Sequence, residues 1–144
     1  RETIAGLNFW NALQGSNVPE LVKWRYNTVV NYAFPEGKLS GLNVGGSWRY
    51  SEAPTVGFPV IPGANGNTYD IANPWKGNKD DVWDFWAGYE MPLGDRVHWR
   101  IQANVRNIFG GDDLFPVTVQ PDGTGGFYRI GAPRTWTIKN TFTF

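Results

Sequence analysis

The feature that most constrains the fold is a two-residue alternation of apolar and polar side chains over residues 24–34. One side of this stretch carries Trp24, Tyr26, Thr28, Val30, Tyr32 and Phe34, and the other side carries Arg25, Asn27, Val29, Asn31 and Ala33. The aromatic rings lie at both ends of the apolar side, with Thr28 and Val30 between them. A strand that crosses a bilayer needs this arrangement, an aliphatic belt between two aromatic girdles.

The alternation recurs along the chain. Four further segments show it, at residues 42–51, 82–91, 97–108 and 134–144. Within the third of these four, Ile101 and Ala103 face away from Gln102. Each segment is about 10 residues long, close to the roughly 9–11 residues of a tilted membrane strand and longer than the roughly 5–6 of an ordinary one. The pattern predicts an all-β protein with an antiparallel meander of five long strands.

The connections between these strands are alternately short and long. Short turns are expected at residues 35–38 and 92–95, and long loops at residues 52–81 and 109–133. Outer-membrane barrels have short periplasmic turns and longer extracellular loops. This spacing predicts that the C-terminus lies on the periplasmic side and that residues 1–23 are the end of an earlier extracellular loop.

The composition narrows the function classes. The chain has 13 basic and 13 acidic side chains, so its charge gives no reason to expect a nucleic-acid partner. Cysteine is absent, and the sole histidine, His98, has no cluster of carboxylates beside it in the sequence. We therefore expect no metal site and no cofactor. No catalytic motif appears, so we expect that the chain is not an enzyme.

Soluble β-sandwiches also alternate, so the barrel prediction depends on further features. The polar side of each strand carries Asn, Arg, Gln, Thr and Lys, which suit a wet lumen, and the apolar side is sorted by depth. Five strands cannot close, and open edges in hydrocarbon leave backbone groups unpaired. The chain is therefore expected to be part of a longer one or one of several assembling copies, and the start at Arg1 favours the longer chain.

Several short motifs resemble the C-terminal end of TonB-dependent outer-membrane receptors. They are Val105-Arg106-Asn107-Ile108-Phe109, Phe127-Tyr128-Arg129-Ile130, Ala132-Pro133-Arg134-Thr135-Trp136 and the closing Phe144, with Trp24-Arg25-Tyr26-Asn27, Tyr32-Ala33-Phe34, Gly41-Leu42-Asn43-Val44-Gly45-Gly46 and Arg49-Tyr50 before them. The resemblance covers about residues 20–144. It implies a transmembrane barrel of about 22 strands with a plugged lumen. Residues 24–144 would be its last five strands, without the plug domain.

The resemblance also implies a function and its partners. Such receptors take up a scarce nutrient, a siderophore, a cobalamin or a glycan, across the outer membrane by energy-coupled transport. The implied partners are the rest of the barrel and its plug, outer-membrane lipid, and periplasmic TonB through the missing N-terminal part. Phe144 and Phe142 would form the signal that the barrel assembly machinery recognises, although Asn140 departs from the apolar pattern before them.

Two sets of side chains are candidates for ligand binding. The lumen-facing cations could line a path for an anionic ligand or pair with Asp84, Glu90 and plug carboxylates. These cations are Arg25, Arg49, Arg100, Arg106 and Lys139. In the loop at residues 52–81, Tyr69 and Trp75 suit stacking on a sugar or an aromatic chelator, although Trp75 could instead pin the loop.

Two other functions stay open at this stage. A soluble β-sandwich that binds carbohydrate would bury Trp24, Trp48, Trp83 and Trp99 between two sheets. A passive diffusion porin would share the strand pattern and lack a plug. In the loop at residues 109–133, Asp112, Asp113 and Asp122 are expected to form turns, because the spacing of a calcium-binding loop is missing.

Overall fold

The computed structural model describes residues 14–15, 18–63, 66–120 and 122–144, so most of the predicted loop end at residues 1–23 lies outside the described residues. The chain divides into two compact units. The sheet unit comprises residues 25–50, 81–113 and 131–144, and the loop unit comprises residues 1–24, 51–80 and 114–130.

The described residues form strands joined by turns. The strands are β1 (Arg25–Ala33), β2 (Leu42–Ser51), β3 (Thr55–Gly57), β4 (Val60–Gly63), β5 (Gly66–Tyr69), β6 (Trp75–Lys76), β7 (Asp80–Leu93), β8 (Val97–Arg106), β9 (Leu114–Val119), β10 (Gly125–Ile130) and β11 (Thr135–Thr143). A 3₁₀ turn at Gly37–Leu39 lies between β1 and β2. Among these residues, no helix is both long enough and apolar enough to cross a membrane.

The five long strands form one antiparallel sheet in the order β1-β2-β7-β8-β11. The prediction of an all-β chain with five antiparallel strands is therefore confirmed. The second strand has the predicted bounds, and the first and last are each shorter by one residue at either end.

Three other predicted strand ends differ from the structure. β7 begins at Asp80, two residues before the predicted start at Val82. β7 continues through Pro92 and Leu93, and the turn lies at residues 94–96, where Gly94 takes a positive φ of 78°. β8 stops at Arg106 because Asn107 adopts a left-handed conformation with φ 50°, which an extended strand cannot accommodate.

The predicted loops at residues 52–81 and 109–133 contain short strands that the alternation did not indicate. β4 pairs with β5, β3 with β6, and β9 with β10. These strands are two to six residues long, too short for a two-residue period to be recognised. They surround the core of the loop unit, where Thr55 and Val56 are buried.

The register aligns the predicted apolar sides of the strands on a single face. Residues directly opposite each other in an antiparallel pair project to the same side of the sheet. The rows on the apolar face are Phe85–Val105–Trp136, Ala87–Ala103–Ile138, Tyr89–Ile101–Asn140 and Met91–Trp99–Phe142. The rows on the polar face are Trp86–Asn104–Thr137, Gly88–Gln102–Lys139 and Glu90–Arg100–Thr141. One apolar row near the middle, at Ala87, is small and aliphatic, and the rings lie toward both ends.

The apolar face of the sheet is most exposed on the two edge strands and less exposed at its centre. Val30 is 65% exposed and Ile138 is 69% exposed, whereas Ile101 is half-buried and Val105 is buried. Every residue of β1 and of β11 is exposed, on both faces of the sheet. A face of this kind needs an apolar neighbour that the described residues do not provide.

Candidate functional site on the polar face of the sheet

A tryptophan lies flat on the polar face. Trp86 projects from β7 across Gly45 of β2, so closely that a Cβ on Gly45 would overlap the indole. The indole Nε1 donates a hydrogen bond to Asn31 Oδ1 on β1, at 2.8 Å. The ring therefore spans three strands, with one ring face against the backbone, which is possible only because residue 45 has no side chain.

Amide side chains lie next to this ring. Asn104 is directly opposite Trp86 on β8, at a Cβ separation of about 5 Å for such a pair. Gln102 Nε2 donates to Asn104 Oδ1 at 2.8 Å. This bond leaves the Asn104 amide nitrogen and the Gln102 carbonyl oxygen available for a ligand.

Asp84 organises the same face toward the end of β8. Its Oδ2 accepts hydrogen bonds from Ser47 Oγ and Arg49 Nη2, both at 3.0 Å. Its Oδ1 accepts the backbone N–H of Asn107 at 2.9 Å. The carboxylate thus links β2, β7 and the end of β8. The sequence left two roles open for the cations of this face, a path for an anionic ligand or pairing with a carboxylate. Arg49 has the second role, because it pairs with Asp84.

The other predicted cations remain separate. Arg25, Arg100, Arg106 and Lys139 are all exposed. Within the described part of the chain, none of these four side chains makes an ion pair. Their charges are therefore available to groups outside the described residues.

A cavity of about 410 Å³ lies at the end of the sheet near the short turns. Its lining includes Asn43, Gly88, Glu90, His98 and Arg100. Glu90 and Arg100 are cross-strand partners, so the cavity contains one carboxylate beside one guanidinium. His98 lies here without a metal-binding set, and no group of potential metal ligands occurs among the described residues.

One residue of the cavity lining carries an unsatisfied acceptor. Asn43 Oδ1 is buried and has no hydrogen-bond partner among the described residues. It lies against Gly88, where a Cβ would overlap the oxygen. A buried carbonyl oxygen without a donor is uncommon and costs free energy, and this burial keeps the oxygen out of reach of a molecule in the cavity.

The apolar face carries a run of aromatic rings. Tyr26 and Tyr50 have ring centroids 6.2 Å apart, and Trp48 stacks on Trp83 at 5.5 Å. Both indoles of the stacked pair donate to Asp81 Oδ1, at 2.8 and 3.0 Å. A single carboxylate therefore fixes both rings and satisfies their only polar groups.

The C-terminal hairpin explains the polar residue in the predicted assembly signal. Asn140 Oδ1 accepts a hydrogen bond from Trp99 Nε1 at 3.1 Å, and the Trp99 ring stacks on Phe142 at 6.2 Å. The acceptor of the amide is thus satisfied on the apolar face. Phe144 follows β11 and is 94% exposed.

The segments that carry the family resemblance meet at one corner of the sheet unit. Asn107 is buried, and its Nδ2 donates to the Ala132 carbonyl at 2.6 Å. Arg134 Nη1 donates to the Ile108 carbonyl at 3.3 Å, and Gly131 N–H donates to the Asp113 carbonyl at 2.8 Å. We name this set the Asn107 corner. It closes the base of the chain segment between β8 and β11.

The predicted loop residues belong to the loop unit. Trp75 is half-buried on β6, and a Cβ on Gly123 would lie 3.5 Å from its ring. It also pairs through its backbone with Gly57 of β3. Trp75 therefore helps to hold the loop unit together. Tyr69, at the end of β5, is exposed.

Asp122 forms a turn, as the sequence predicts. Its Oδ1 accepts hydrogen bonds from Thr124 Oγ1 at 2.7 Å and from Thr124 N–H at 2.9 Å. The hydrogen bond from the Thr124 side chain, followed by that from its backbone, lowers the pKa of Asp122 below its ordinary value. Asp113 accepts a long hydrogen bond from Gly111 in the same region.

No protein-family model, no curated protein and no solved structure matches this chain. The residue that sequence reasoning missed is Trp86. Its position on the polar side was evident from the alternation, but its contact with Gly45 depends on pairing between distant segments. A large ring on an otherwise polar side is the signal that could have found it.

Proposed function

We propose that the chain is the C-terminal β-barrel portion of a TonB-dependent outer-membrane receptor, which takes up a siderophore, a cobalamin or a glycan. The observation that carries the proposal is the apolar face of the five-stranded sheet, where the register of β7, β8 and β11 aligns aromatic and aliphatic residues in rows. Lipid is the partner with the chemistry to cover such a face. The opposite face, with its unpaired cations and amides, suits a wet lumen.

Two further observations support the proposal over a carbohydrate-binding sandwich. Such a sandwich would bury its tryptophans between two sheets, whereas Trp24 is 61% exposed and Trp83 is 36% exposed. The segments that resemble the receptor family, around Asn107 and Arg134, also contact each other. Their spacing in the sequence therefore has a structural reason.

Spin labelling of adjacent residues on β11 tests the membrane orientation. Because the chain has no cysteine, Ile138→Cys and Thr137→Cys each add one labelling site to it. The variants are made in the full-length protein, which is reconstituted into phosphatidylcholine vesicles and labelled with a nitroxide. We expect the label at position 138 to collide preferentially with oxygen dissolved in lipid, and the label at 137 with a water-soluble nickel complex. Equal water accessibility at both positions, or failure to associate with vesicles, would overturn the proposal.

Energy coupling distinguishes a receptor from a passive diffusion porin. The full-length protein is expressed in cells, and uptake of its nutrient is measured with and without a protonophore. We expect uptake to stop when the proton gradient collapses. Uptake that continues unchanged would favour the porin.

A further inference from the structure

We propose that the polar face of the sheet unit carries a binding site for a neutral oligosaccharide, formed by Trp86 and the cavity beside it. The inference rests on the proposed function and narrows its substrate class to a glycan. It depends on three features of the sheet unit. These are an aromatic ring held flat, two amide side chains beside the ring and a cavity next to it.

The ring and the cavity are neighbours on the same face. Gly88, which lines the cavity, lies two residues beyond Trp86 on β7, a distance of about 7 Å along a strand. Asn43, which lies against Gly88 in the cavity lining, is two residues before Gly45, which the indole covers. A ligand of several sugar units can therefore contact the ring and the cavity together.

The ring offers a stacking surface and little else. Its Nε1 is committed to Asn31, and one ring face lies on the β2 backbone at Gly45. The apolar face of a pyranose can pack on the opposite face of such a ring. Pockets for small molecules combine such rings with a few well-placed polar groups.

The polar groups around the ring suit hydroxyls. Among the described residues, the Asn104 amide nitrogen and the Gln102 carbonyl oxygen make no hydrogen bond, so the first can donate to a ligand and the second can accept. A hydroxyl can both donate and accept, so a polyhydroxyl ligand matches both groups. The cavity of about 410 Å³ is within the roughly 300–1,000 Å³ of small-molecule sites.

The charges inside the cavity are balanced, whereas Lys139 on the same face lies opposite Gln102 and is exposed, so the dihydroxybenzoate probe tests an anionic ligand. Glu90 and Arg100 lie opposite each other in the cavity, so an anion attracted by the guanidinium would also meet the carboxylate. Two residues before Trp86 on β7, Asp84 is already paired with Arg49 of β2 at 3.0 Å. A neutral saccharide meets no such repulsion.

Titration with defined oligosaccharides tests the site. The full-length protein is prepared in lauryldimethylamine oxide, a detergent without a sugar head group. The probes are maltohexaose, cellohexaose, mannohexaose and chitohexaose, with 2,3-dihydroxybenzoate as an aromatic anion. The readout is the indole N–H signal of Trp86 in proton–nitrogen correlation spectra, assigned with Trp86→Leu.

We expect at least one hexasaccharide to shift this signal in a saturable way. Trp86→Leu should weaken its binding about tenfold or more, equivalent to about 1.4 kcal/mol. Gln102→Leu should also weaken binding, and it provides a second variant that leaves the ring in place. The matched control is Trp99→Leu, which removes an indole bonded to an asparagine on the opposite face and should leave the affinity unchanged.

The outcomes separate this inference from the proposed function. Absence of binding by all four hexasaccharides, unchanged affinity in both site variants, or a shift caused by dihydroxybenzoate alone would overturn the saccharide site. The spin-label experiment on β11 is independent of that result. Saccharide binding together with a water-exposed label at position 138 would uphold the site and reject the membrane receptor.

Discussion

Each face of the sheet unit contains a hydrogen bond from a tryptophan to an asparagine, and the two bonds have different roles. On the polar face, Trp86 donates to Asn31 at 2.8 Å and lies over Gly45. On the apolar face, Trp99 donates to Asn140 at 3.1 Å and stacks on Phe142. In the first case the bond holds a ring against the backbone of a neighbouring strand. In the second case the bond satisfies two polar groups that lie on the apolar face.

The comparison teaches that the environment of a face, more than the residue type, sets the role of a side chain. An indole on the polar face is the exceptional group there and provides a stacking surface. An asparagine on the apolar face is the exceptional group there and needs a donor beside it, because an unpaired polar group next to hydrocarbon costs free energy. The predictions below compare matched substitutions on the two faces.

The largest effect is expected for a charge on the apolar face. Ile138→Arg places a guanidinium in the aliphatic row with Ala103 and Ala87. In a bilayer this should lower the free energy of unfolding by about 2–4 kcal/mol. Urea unfolding in vesicles, followed by tryptophan fluorescence, measures the change.

The adjacent substitution on β11 is the control for this prediction. Thr137→Arg lies on the polar face opposite Asn104 and should change stability little. Both positions are exposed in the sheet unit, so a water-soluble sheet would tolerate both arginines. Equal effects would therefore contradict the assignment of the faces.

A smaller effect is expected from two neighbouring glycines of β2. Gly45→Ala puts a methyl group into the space of the Trp86 indole, so the ring must move and its bond to Asn31 is lost. We expect a loss of about 1–3 kcal/mol, as for other overpacked sites. Thermal unfolding in the same detergent measures it.

Gly46→Ala is the matched change on the apolar face. There a Cβ would lie 3.1 Å from Cδ1 of Phe85, whose exposed ring can move aside. The cost should therefore be smaller than for Gly45→Ala. The reverse order would show that the Trp86 ring is not held over β2.

The smallest effect is expected outside both faces, at the turn of the β9–β10 hairpin. The hydrogen bonds from Thr124 lower the pKa of Asp122, so the turn is stabilised while this carboxylate is ionised. That stabilisation is present above the ordinary aspartate pKa of about 3.9 and is lost as the pH falls through the lowered value. Amide exchange of Thr124, relative to its intrinsic rate at each pH, should therefore accelerate at strongly acidic pH.

Thr124→Val provides the control for the turn. It removes the Oγ1 donor, the largest cause of the lowered pKa, and should move the acid transition toward higher pH. The signals of Trp86 and Trp99 should not change between the two proteins. A shift of either signal would show that the turn is coupled to the sheet.

The sequence was sufficient to predict the long strands because their alternation is a local property. Residues 42–51 form β2 as predicted, and the predicted apolar sides of β7, β8 and β11 share one face. The end of β8 was less predictable, since the left-handed backbone of Asn107 depends on its contact with Ala132, which is distant in the sequence.

The site was much harder to predict than the sheet. The cations on the polar side and pairing with Asp84 were both identified, but not which cation pairs, because Arg49 reaches Asp84 on another strand. The position of Trp86 over Gly45 and the unsatisfied oxygen of Asn43 result from strand pairing. A two-residue period reports which side a residue faces and carries no information on its neighbour across the sheet.

The Asn107 corner has a consequence for how such a chain tolerates change. Because hydrogen bonds among Asn107, Ala132, Arg134 and Ile108 fix the ends of the intervening segment, the pairing of β8 with β11 does not depend on what that segment contains. We therefore expect the sheet unit to tolerate insertions, deletions or grafted hairpins between residues 114 and 130. Because the Asn107 corner fixes both ends, the segment between them can be replaced by another binding loop.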